Sequence, residues 1–159
     1  MNHIQDDQKT TARGLYDLAR LCCDFGEGKV ETDPAMPSGI PTPKGGKQSI
    51  FGWEVQAIGP LRRALQLDPE LEDAARLLVQ LLRSLKRTTE EIKVIRERLS
   101  RYYTSEEWWE RLIATHEHAG KPSDALAACR EGLSALPSSA LLSRLLQRLE
   151  SSEMKSPQR

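Results

Sequence analysis

The chain has 159 residues, enough for one domain, and its 23 basic side chains equal its 23 acidic ones, giving a formal net charge of zero. That balance argues against a dedicated nucleic-acid binder, which needs a basic excess to meet phosphates. Aromatic residues make up only 5%, and the apolar set is dominated by Leu and Ala, which suits helix packed on helix.

Residues 1–11 read as a polar N-terminal tail. A first helix is predicted over about 11–25, where Leu15, Leu18, Ala19 and Cys22 recur at spacings of three and four and make one apolar stripe. From Gly26 to Gly52 the chain has four prolines and six glycines. These exclude regular helix, and residues 27–52 are predicted to form an irregular insertion. Pro41-Thr42-Pro43 favours extended backbone there. Such a long loop is either disordered or in contact with a partner. The next helix covers 53–67. Inside it, Pro60 follows Gly59 and cannot donate to the helix ladder, so the helix either kinks there or starts near it. Helices follow over 71–86, 88–102, 105–119, 122–136 and 139–150, with Ser105 and Ser139 as N-caps and Pro122 in a first turn. A polar tail, 151–159, ends the chain.

The three cysteines, Cys22, Cys23 and Cys129, do not describe a disulfide framework, because their number is odd and adjacent residues are badly placed to bridge each other. They point to a reducing compartment. The opening residues, Met1 to Asp7, are polar and acidic rather than leader-like. No apolar run approaches the ~20 residues that span a membrane. The expectation is a soluble cytoplasmic protein with no cofactor and no catalytic role.

Pro69 and Pro137 lie two periods of 34 residues apart, closing Ala64-Leu65-Gln66-Leu67-Asp68-Pro69 and Gly132-Leu133-Ser134-Ala135-Leu136-Pro137. A 34-residue period of paired amphipathic helices resembles the tetratricopeptide repeat (TPR) family. With Pro69 at position 32 of a repeat, later repeats begin at residues 72 and 106. The last fits the family pattern well, with Trp109 at position 4, Leu112 at 7, Gly120 at the turn, Ala125 at 20, Gly132 at 27 and Pro137 at 32. The repeat at 72 is degenerate, placing Ala75, Leu78, Leu82 and Ile95 in apolar slots but Glu91 where Ala is usual. In the first repeat, Ala57, Leu61 and Ala64 fit the second helix. Its first helix lies 26 residues too far upstream, which defines the insertion. The resemblance covers about 12–150. It implies an all-α fold: a right-handed α-solenoid of about three TPR-like helix pairs, with a C-terminal capping helix over 139–150.

What the family resemblance implies about function is protein binding in a concave groove lined by the first helix of each pair. Carried onto this sequence, the groove positions are held by Arg13, Tyr16, Arg20, Cys23 and Asp24, then by Asp73, Arg76, Gln80, Arg83 and Ser84, then by Glu107, Glu110, Ala114, Glu117 and His118. The groove is thus basic at its N-terminal end and acidic at its C-terminal end, which would orient an extended, acidic peptide. Arg20, Arg76 and Arg83 would meet a carboxylate through guanidinium forks. Relatives that clamp a chaperone tail use Lys and Asn where this chain has Tyr16 and Arg20, which argues against that ligand. In the Trp108-Trp109 pair the side chains diverge by about 100°. Trp109 takes a core slot, and Trp108 is left as a partly exposed anchor or as packing for a neighbouring helix. The expected role is an adaptor or chaperone that binds a peptide or helix. The alternative is a structural subunit held by its convex face or its ends, with a second copy covering the N-terminal face.

Other motifs carry less. Ile40 to Gln48 has a Gly-Gly-Lys run, but Pro41 and Gln48 replace the Gly and Ser/Thr of a phosphate loop. His116 and His118 are two apart and point to opposite sides of a helix, so they cannot share a metal ion. Cys22 and Cys129 fall in core slots. Arg83 to Arg101 holds seven basic and three acidic residues, but Glu90, Glu91 and Glu97 interrupt it as a phosphate-binding stripe.

Overall fold

A computed structural model describes residues 2–26 and 51–155. Among these the chain is all-helical, with α1 (Asn2–Gly26), α2 (Phe51–Leu67), α3 (Glu72–Ser84), α4 (Thr88–Arg101), α5 (Glu106–His118), α6 (Pro122–Ala135) and α7 (Ala140–Lys155). Residues 27–50 of the expected insertion lie outside the described residues. The helices group into two units, Met1–Leu85 and Lys86–Arg159. In the first, α1 packs on α2 and α2 on α3; in the second, α4, α5, α6 and α7 pack in chain order. No helix among the described residues is long and apolar enough to cross a membrane.

The 34-residue period is written into the backbone. Helices α3, α5 and α7 begin at residues 72, 106 and 140, and α2, α4 and α6 end at residues 67, 101 and 135. The turn after each even-numbered helix repeats one hydrogen bond: Leu71 N–H to Asp68, Ser105 N–H to Tyr102 and Ser139 N–H to Leu136, at 3.2, 3.0 and 3.1 Å. The turn after α3 puts Lys86 at φ 56°, and the turn after α5 puts Gly120 at φ 68°. Glycine takes this left-handed conformation freely, whereas Lys86 bears a steric cost of roughly 1 kcal/mol. Ser139 caps α7 by accepting the Leu142 N–H at 3.0 Å, and Pro122 opens α6 where no intrahelical donor is needed.

Several expectations about local structure need correction. The first helix begins at Asn2, not near residue 11. The polar opening segment has no helix breaker, and the Thr10 and Thr11 hydroxyls turn back onto the Asp6 and Asp7 carbonyls at 2.9 and 2.8 Å. Helix α2 runs from Phe51 through Pro60 without interruption; Gln56, whose carbonyl loses its partner there, is exposed to water. Helix α7 continues past residue 150 to Lys155. Leu18, read as a core residue, is 51% exposed, while Ala12 and Ala19 on the adjoining face are fully buried. Cys22 is only half-buried, whereas Cys129 is buried.

Trp109 ties three helices of the second unit together. Its indole N–H donates to the Tyr103 carbonyl at 2.8 Å, and the Tyr103 ring meets its edge at 5.5 Å. A side chain at Gly132 of α6 would lie 3.1 Å from the Trp109 ring and 3.1 Å from Leu142 of α7. The glycine therefore sets how closely α6 approaches its neighbours. Gly132→Val should destabilise the fold by about 2 kcal/mol, the cost of overpacking a filled core. At Gly59 an added carbon meets nothing beyond its chain neighbours, but it would crowd the Pro60 ring, so the helix-propensity gain of Gly59→Ala is offset and the stability should change by less than about 1 kcal/mol. Urea unfolding checks both, and an unchanged midpoint for Gly132→Val would contradict this packing.

Candidate functional site

In the first unit, α1 and α3 present Arg13, Arg20, Arg76, Gln80 and Arg83 to solvent, with Tyr16 half-buried beside them. These positions recur at three and four residues, so each helix shows them on one side. The opposite side of α3 is apolar, with Ala74, Ala75, Leu78, Val79, Leu81 and Leu82 buried. One ion pair brings the two rows together: Arg13 of α1 lies 3.5 Å from Asp73 of α3. The Arg13 guanidinium also lies 3.8 Å from Asp17 and 5.1 Å over the Tyr16 ring. Held by two carboxylates and a ring, Arg13 serves to position the row.

Arg20 has a looser partner, Asp24 at 3.9 Å, and Arg76 counts Glu72 at 3.9 Å among its contacts. Exposed pairs of this length are worth well under 1 kcal/mol, and an incoming anion can displace them. This face is therefore zwitterionic in detail. Gln80 and Arg83 extend the row along α3.

The acidic residues expected at the other end of the groove belong to the second unit. Glu110 is exposed on α5. Glu117 is committed to Arg148 of α7, which reaches both of its oxygens at 2.7 and 2.9 Å. Glu107 accepts from Arg111 at 2.9 Å, and Glu106 bonds the Ser139 hydroxyl. Another pair, Arg96 with Glu131 at 2.9 Å, joins α4 to α6. Odd helices and even helices of this unit are thus each cross-linked by charge.

Trp108 is not a surface anchor: it is 1% exposed. The Arg98 and Arg111 guanidinium groups lie 5.8 and 5.5 Å from its ring, and Arg98 also stacks 4.8 Å from Tyr102. This cation–π stack buries Arg98 to 4% exposure. Sequence reasoning missed it, although Trp108 and Arg111 are three residues apart on one helix and so fall on one side. A second buried polar contact was also missed: the Thr115 hydroxyl donates to the Glu91 carboxylate at 2.8 Å, joining α5 to α4.

His116 and His118 have different surroundings. His118 Nδ1 lies 2.6 Å from the Ala114 carbonyl, and His116 Nδ1 lies 3.9 Å from Asp124. Among the described residues no group of three metal-ligating side chains converges. Burial pushes the Cys129 thiol up, so it stays protonated, and its Sγ donates to the Leu142 carbonyl at 3.3 Å. Compared with known protein families and with characterised proteins, the chain matches none.

Burial holds His116 below the usual imidazole value, opposed by the Asp124 carboxylate. Its neutral form is favoured by the fold, so the unfolded chain takes up the proton first as pH falls. Stability should therefore drop as pH falls through about 6.5 and level off below the folded value. His116→Gln should flatten this slope in urea titrations between pH 7.5 and pH 5. An unchanged slope would contradict the burial.

Proposed function

We propose that this protein is a non-catalytic protein-interaction module, an adaptor or chaperone that holds a peptide or helix of a partner protein on the exposed face of α1 and α3. One observation carries the reading: Arg13–Asp73 sets two rows of exposed polar side chains side by side, with no role in the core beneath them. The recurrence of helix bounds every 34 residues supports TPR-like helix pairs stacked as a right-handed solenoid. That architecture supplies such a face because each pair needs neighbours to cover its apolar side. Arg20, Arg76 and Arg83 meet acidic groups of the partner, Gln80 bonds its backbone, and Arg13 and Tyr16 hold the row in register. Glu110 on α5 offers a separate acceptor for a basic partner residue, and Glu117 belongs to the fold through Arg148.

A second reading is a structural subunit held by its end or outer surfaces. It is favoured by the exposed apolar side chains Leu18, Leu21 and Val55.

Salt separates the two, because charge-led binding is screened and apolar contact much less so. The partner protein captured from native cell extract should be lost with Arg76→Glu/Arg83→Glu, and released from the unaltered protein by raising salt. Equal capture by both proteins, indifferent to salt, would overturn the α1–α3 assignment.

A further inference from the structure

The outer side of α1 is apolar where a solvated helix would be polar. Thr11, Gly14, Leu18 and Leu21 are all exposed and spaced by three, four and three residues, the spacing of one helix-pairing seam. Leu18 and Leu21 are 51% and 50% exposed. Gly14 sits mid-helix, and a side chain there would meet nothing within 4 Å. Glycine inside a helix is destabilising relative to alanine. At Gly132 the packing of Trp109 and Leu142 explains the glycine; at Gly14 no described part of the chain does. The other terminal helix differs: the exposed positions of α7 include Ser143, Arg144, Gln147, Arg148 and Glu150, the polar face of a cap.

We infer that α1 is a homodimerisation helix, and that the outer face carrying Gly14, Leu18 and Leu21 packs against the same face of a second copy, antiparallel. The charge order selects this occupant. Arg13, Asp17, Arg20 and Asp24 alternate in sign along one edge of α1, and reversing that order gives its complement. The pairs Arg13/Asp24 and Asp17/Arg20 share one midpoint, between Leu18 and Ala19. A two-fold axis there sets Arg13 of each copy level with Asp24 of the other, and Asp17 level with Arg20. It also places Leu18 against Leu18 and carries Leu21 within a turn of the other copy's Gly14, where the missing side chain leaves room. Within one copy Arg13–Asp17 and Arg20–Asp24 lie at 3.8 and 3.9 Å, and Arg13 also reaches Asp73 at 3.5 Å; exposed contacts of this kind are weak enough to exchange for ones across the two-fold axis. This interface shares Arg13 and Arg20 with the α1–α3 face, but its leucine seam does not, so Leu18→Asp/Leu21→Asp separates loss of the dimer from loss of ligand binding beside α3.

Sedimentation velocity of the full chain tests it. The unaltered protein should be a dimer, and Leu18→Asp/Leu21→Asp a monomer with the same helix content by circular dichroism. Gly14→Gln should weaken the dimer at least about tenfold, as a side chain blocks close approach. Asp17→Arg/Asp24→Arg should be monomeric alone, as should Arg13→Asp/Arg20→Asp, and the two mixed should form a heterodimer. A monomer at every concentration overturns the inference. So does a dimer that survives the leucine substitutions, and so does a failure of the charge-inverted chains to pair.

Discussion

An amphipathic helix cannot hide its apolar stripe by itself, and the Trp109 junction shows how this chain answers that constraint. One ring on α5 closes against α6 because position 132 has no side chain, while its N–H fixes the turn before it through Tyr103. The same junction takes in Leu142 of α7. Polar links then set the helices' register: Thr115 to Glu91 in the interior, Arg96 to Glu131 and Arg148 to Glu117 at the surface. The surface pairs are individually weak, so apolar burial carries the stability and the charges choose among packings of similar energy.

The helices themselves were largely legible in the sequence. Apolar spacing placed seven of them, and the two prolines at one phase gave the 34-residue period that helix bounds and turn hydrogen bonds repeat. What the sequence hid was decided by neighbours. Trp108 stood open between an exposed anchor and packing for a neighbouring helix, and two arginines from α4 and α5 close over it. Leu18 looked like core because it lies on a regular apolar stripe, but α1 has two apolar sides and Ala12 and Ala19 fill the buried one. The early start of α1 was hidden because its first turns are polar, and polarity alone does not stop a helix. Arg13, expected to meet a ligand, proved to be tied to Asp73, Asp17 and Tyr16.

Two surfaces of the first unit therefore have different chemistry. The α1–α3 side is polar, with exposed arginines that pair with neighbouring carboxylates. The outer side of α1 is apolar, with leucines beside an open glycine and a self-complementary row of charges. On α1 the exposed leucines and the arginines beside α3 point in different directions.

The central claim is that the α1–α3 face is where a partner protein lies, and a photo-crosslinker placed in the chain tests it directly. Placed at Gln80, on the exposed side of α3, it should attach the partner protein from native extract; placed at Gln66, exposed on α2, it should not. Attachment from Gln66 and none from Gln80 would contradict the account.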